Sequence, residues 1–196
     1  MDKMEDSEAL GWAFKEWSWI VKALEEGRQT LILRKGGIHE GRDGFRVSHS
    51  RFWLFPTEFH QQLEQLSQRG QDWARQCSIP DTAELELRSY AKVSAVIPIS
   101  EEAILERLEP LHFWSTETIH ARFHYRQPGL FLLAVRIFQL PTAHVLSPDS
   151  QFGGCRSWVE LPAALSTSGA RAVLDDRQFH LEMDRLQAAL QGLCGC

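Results

Sequence analysis

The sequence predicts a single α+β domain over residues 1–196, with a mostly antiparallel sheet or a partly closed barrel flanked by helices. Three observations carry that expectation. A chain of 196 residues suits one domain. Strand-like and helix-like stretches are both present, but they do not alternate regularly enough for a doubly wound parallel sheet. No repeat, low-complexity tract or convincing linker divides the chain.

The elements follow from local pattern. Ala13, Trp17, Ile20, Val21 and Leu24 recur at helical spacing and predict an N-terminal helix over 9–26, stopped by Gly27. "RQTLILRK" reads as a strand and "FRVSHSRFWLF" as its returning partner, with "GGIHEGRDG" as a long hairpin connection. A shift of apolar phase between Val47 and Phe52 predicts a bulge. Pro56 and Thr57 break that strand, and Thr57 caps a helix bearing Phe59, Leu63 and Leu66 that Gly70 ends. Residues 71–83 read as irregular.

"LELRSYAKVSAVIPI" alternates, with Val93, Ala95, Ile97 and Ile99 on one face. Ser100 caps the helix "EEAILERL", which Pro110 closes, and Ser115 or Thr116 caps "STETIHARF". "GLFLLAVRIFQL" is the most apolar run and predicts a central strand with Leu133, Val135 and Ile137 in the core. "FGGCRSWVEL" supplies one more short strand. A C-terminal helix over 175–190 places Phe179, Met183, Leu186 and Leu190 at helical spacing.

Composition narrows the function. No apolar stretch reaches membrane-spanning length, and "MDKMEDSEAL" is acidic where a signal peptide is basic and then apolar, so a cytoplasmic protein without a membrane partner is expected. Cys77 and Cys155 are isolated, and Cys194 with Cys196 gives too few ligands for a closed zinc site; no metal or cofactor is expected. The net charge of −5 argues against a general nucleic-acid binder. Yet Arg28, Arg34, Lys35, Arg42, Arg46 and Arg51 outnumber Glu40 and Asp43 between Gly27 and Arg51, so that segment carries +4 and the remainder −9. A positive region on an acidic body can hold an anion locally.

The candidate site is centred there. Arg34 is a planar fork and Lys35 a point charge, both suited to phosphate, while Gly36 and Gly37 admit close backbone approach. No Gly-Lys-Ser/Thr follows, so this is not a phosphate-binding P-loop; the same residues also fit a solvated hairpin. His39 and Glu40 lie in the connection, and His49 and His60 are expected to face the same cleft as Arg34. His120 and His124 share a helical face as metal ligands do, but a third ligand cannot be named, so they read as solvated or core-edge histidines. Asp81 with Glu84 and Glu86 fits a metal-dependent nuclease poorly, and neither a Gly-x-Ser-x-Gly elbow nor a dinucleotide fingerprint is present. Cys155, exposed by two glycines beside Arg156, is a conceivable nucleophile that reads more simply as a small buried cysteine.

The stretches "EGRQTLILRKGGIHEG", "FRVSHSRFWLFPTEFHQQ", "FWSTETIHARF" and "GGCRSWVEL" resemble a bacterial family described as domain of unknown function 1802, well represented in cyanobacteria. A more distant resemblance is to the ASCH branch of PUA-like domains, small barrels that bind RNA or modified bases. Their signature, Gly-x-Lys-x-x-Glu-x-Arg after a helix, finds Gly27 and Arg34 in place. Gln29 and Ile32 stand where it has lysine and glutamate, which removes the basis for carrying over a catalytic role.

These readings lead to a non-catalytic PUA-like domain that binds RNA or a nucleotide-like anion. Arg34 and Lys35 would hold phosphate, and Trp53 would stack on a base. Two other classes stay open: a hydrolase or nuclease using His39, Glu40, His49 or His60 as acid and base, and a protein-interaction module.

Overall fold

The computed structural model describes residues 9–35, 48–57, 63–77, 84–147, 152 and 157–191. These form an α+β unit around one sheet whose seven strands are mostly antiparallel. The N-terminal stretch begins not as a helix but as strand β1, Ala9–Trp17; only Ser18–Glu25 is helical, as α1. The reason lies in burial. Leu10 and Ala13 join one apolar cluster and Phe14 another, so a strand with both faces covered carries apolar residues at spacings that mimic a helical stripe. Gly27, at φ +66°, ends α1 as the sequence predicts. The Gly27 N–H donates to the Leu24 carbonyl and Arg28 to Ala23, the paired bonds of a Schellman cap.

The remaining strands are β2 (Leu31–Arg34), β3 (Arg51–Thr57), β4 (Leu85–Ile99), β5 (Leu130–Leu146), β6 (Trp158–Ser166) and β7 (Arg171–Ala172). Their order is β2-β5-β4-β3-β1-β6, with β7 also pairing β5. Among the described residues, the expected hairpin between "QTLILRK" and the returning strand does not form. Instead β2 pairs antiparallel with β5, while β3 lies parallel to β1 and antiparallel to β4. Sequence neighbours were outcompeted by β5, whose Leu132, Leu133, Ala134 and Val135 are buried and provide a richer apolar ladder.

Helices α2 (Gln68–Arg75), α3 (Ala103–Leu108), α4 (Thr116–His124) and α5 (Asp176–Gln191) flank the sheet. The helix expected to start at Thr57 and end at Gly70 does not have those bounds among the described residues: β3 continues through Pro56 to Thr57, and Gly70 lies inside α2, capped by Ser67. Pro56 is tolerated because β3 pairs β4 only over Arg51–Trp53, so beyond it the strand has β1 alone as partner. At Gly70 a Cβ would come within 3.0 Å of the Phe113 carbonyl, which explains a glycine within a helix. β4, β5, β6, α3, α4 and α5 fall close to the predicted stretches, and Ser115 caps α4 by accepting from the Thr118 N–H. α3 has no side-chain cap, so Ser100 does not serve as one. Leu133, Val135 and Ile137 are buried on β5 as expected.

Candidate ligand-binding site

Arg34 closes β2 and points across the curled sheet. Its Nη2 donates to Ser157 Oγ at 2.6 Å, its Nη1 lies 3.6 Å from Glu16 Oε2, and its guanidinium carbon sits 4.6 Å from the Phe14 ring centre. Glu16 is 1% exposed; its Oε1 accepts the Trp17 N–H, while Oε2 has no hydrogen bond among the described residues. A second guanidinium approaches from α4. Arg122 stacks on Trp114, 3.6 Å from the ring centre, and stands 5.7 Å from that of Trp17. Burial, the larger cause, and Arg34 pull its pKa down to about 10, although Glu16 works the other way. It therefore stays charged at neutral pH, attracted by the buried Glu16 carboxylate that Arg34 pairs.

Arg122 also lines an open concavity of about 440 Å³, together with Gln65, Glu117, Thr118, Ala121 and Tyr125. Tyr125 is 56% exposed, and the Arg126 guanidinium lies 5.1 Å from its ring centre. Arg126 adopts φ 63°, the left-handed region that a non-glycine residue enters at a cost of roughly 1–2 kcal/mol. The concavity thus combines an exposed ring, a fixed cation, and an amide, hydroxyl and carboxylate able to pair with a polar ligand edge.

The sequence-predicted residues fare differently. Arg34 and His49 lie on the same side of the sheet, joined through Phe14 and Trp158: His49 stacks on Trp12 with ring centres 4.4 Å apart and meets Trp158 edge-on at 5.2 Å, and Trp158 contacts Phe14 at 4.8 Å. Burial lowers the His49 pKa, which favours a neutral ring. The Lys35 ammonium donates to the carbonyls of Phe123 and Gly129, each at 2.8 Å, and of Gln127, so it holds the C-terminal end of α4. Trp53 is wholly buried on the other side of the sheet, and its indole N–H donates to the Leu10 carbonyl. Gly36, Gly37, His39, Glu40 and His60 lie outside the described residues.

Arg122, Tyr125 and Gln65 escaped the sequence reading. In "HARFH" the signal for Arg122 is an arginine set between Ile119 and Phe123, the buried positions of the same helix. Glu102, the third partner that His120 and His124 lacked, lies 18 residues upstream of His120, where no spacing rule could find it.

Residues 13–185 match the family described as Domain of unknown function (DUF1802). The chain belongs to that family. The match spans Arg34, His49, Arg122 and Tyr125, so the whole constellation lies within the DUF1802 domain. No curated protein is significantly similar to this chain. Among solved structures it is similar to the ASCH protein of Zymomonas mobilis, at 12% identity and a TM-score of 0.47, covering 90% of this chain and 93% of that one. A substitution variant of the same protein gives 10% identity and a TM-score of 0.48, covering 92% and 98%.

Proposed function

We propose that this DUF1802 domain is a non-catalytic binding module for RNA or a nucleotide-like anion, received in the concavity along α4. The observation that carries the reading is Arg122: a half-buried, ring-stacked guanidinium that stays charged under the pull of the Arg34-paired Glu16 and opens onto the concavity beside exposed Tyr125. Arg34, Arg122 and Arg126 against Glu16 and Glu117 leave one positive charge for a phosphate, and the fork geometry suits its oxygens. Tyr125 offers a face for a base, worth about 1–3 kcal/mol per stacked base. Gln65, Thr118 and Glu117 supply the donors and acceptors that a base edge needs. In this reading Arg34 sets the charge balance behind Arg122, and Lys35 fixes the helix that carries it.

Fluorescence anisotropy with short single-stranded RNA across a salt titration tests this. Arg122→Ala should weaken binding and make the slope of log K against log salt shallower by about 0.7, one phosphate contact on a single strand. Tyr125→Ala should weaken binding at every salt concentration and leave that slope unchanged. RNA binding that is absent in the parent, or untouched by both substitutions, overturns the proposal.

A further inference from the structure

Away from Arg122, α4 and the start of α3 bring together a second group of side chains. His120 and His124 stand four apart on α4 and therefore share a face. Glu102, immediately before α3, places Oε1 2.7 Å from His120 Nδ1 and 2.8 Å from His124 Nε2. One donor atom from each residue lies within 4.8 Å of the other two. We infer that Glu102, His120 and His124 form a binding site for a divalent transition-metal ion of the zinc type.

The chemistry of the set selects the ion. Two imidazoles and one carboxylate match zinc, cobalt, nickel or copper, whereas magnesium and calcium favour all-oxygen sets. Ligand bonds of about 2.0–2.2 Å put donor atoms roughly 3.4 Å apart around a tetrahedral ion. The two N···O separations observed need to open by less than about 1 Å, which side-chain rotation on two surface helices supplies. Side-chain exposures of 31% for His120, 52% for His124 and 44% for Glu102 leave an entry path and an open coordination position for water or an anionic oxygen. A bound ion would tie the start of α3 to the C-terminal half of α4, the helix that carries Arg122 and lines the concavity.

Cobalt(II) titration of the full chain, with Cys194 and Cys196 replaced by serine to remove competing thiols, reads the site directly. One equivalent of Co²⁺ should bind with visible d–d absorption, Zn²⁺ should displace it and a hundredfold excess of Mg²⁺ should not. His124→Ala and Glu102→Gln should each weaken binding by more than about tenfold, since even outer partners of metal ligands contribute that much. All three side chains are partly exposed, so these variants are expected to fold, and circular dichroism confirms it. Absence of Co²⁺ binding in the parent overturns the inference, as does binding unchanged in either variant, because a set lacking His124 or Glu102 is not this site.

Discussion

Arg34 and Glu16 meet at 3.6 Å although β5, β4 and β3 separate their strands in the hydrogen-bonded order. The sheet must therefore curl until the β2 edge faces β1, and Ser157, at the threshold of β6, receives the same guanidinium. This contact gives the open sheet its partly barrel-like form through side chains where no backbone ladder joins β2 to β6 among the described residues.

Breaking that contact should unsettle the fold itself. Arg34→Ala leaves a carboxylate that is 1% exposed with the Trp17 N–H and the longer-range attraction of Arg122, and losing one partner of a buried pair destabilises by about 3–5 kcal/mol. The retained Arg122 places this variant near the lower figure. Glu16→Gln in the same chain should recover part of the loss, with a coupling of about 0.5–3 kcal/mol in a double-mutant cycle measured by urea unfolding. Additive effects would show that the two side chains do not interact.

Lys35 makes the opposite kind of contribution, holding a helix end instead of an acid. Its ammonium serves the Phe123 carbonyl in the last turn of α4, at the negative pole of the helix dipole, and the Gln127 and Gly129 carbonyls of the turn that follows. Burial lowers its pKa, so the site accepts the cation only because those carbonyls receive it. Lys35→Met should lower stability by roughly 1–2 kcal/mol while leaving the salt slope of RNA binding in place. A shallower slope with unchanged stability would make Lys35 a phosphate ligand instead.

His112 predicts an acid sensitivity. Burial chiefly, then the positive charges of Arg69 and Arg122, push its pKa down to about 4 from an ordinary 6.5. In the unfolded chain the ring takes up a proton as pH falls through 6.5, whereas in the folded chain it stays neutral until about pH 4. The unfolded state binds more protons across that window, so stability declines with falling pH by roughly 3 kcal/mol in total. His112→Asn keeps an acceptor for the Trp114 N–H and removes the titration. Unfolding midpoints of parent and variant should converge from pH 7 to pH 4; parallel curves would refute the assignment.

What the sequence made legible follows the range of each interaction. β4, β5, α4 and α5 depend on local alternation, helical spacing and caps, and their patterns were readable. β1 was misread because burial on both faces erases the period of two. The pairing of β2 with β5 joins residues about a hundred positions apart, and no turn residue announces it. The site divided in the same way: Arg34 stood out by local charge, whereas its partners Glu16, Ser157 and Arg122 come together only once the sheet has curled.

The backbone of Arg126 gives the sharpest separation of stability from binding. It follows α4 in the left-handed position usually held by glycine, and its guanidinium lies over the Tyr125 ring. Glycine would relieve about 1–2 kcal/mol of steric strain and give back part of that through the greater freedom of the unfolded chain. Arg126→Gly should therefore leave the domain as stable as the parent or more stable by up to about 1 kcal/mol. Without the covering cation, Tyr125 loses both its orientation and a nearby positive charge, so RNA binding in the α4 concavity should weaken by several-fold and the salt slope should become shallower. Alanine at the same position keeps the strain and removes the charge, so it should weaken binding equally while lowering stability. If Arg126→Gly binds RNA as the parent does, the strained turn serves the chain path alone and Tyr125 needs no partner to present its ring.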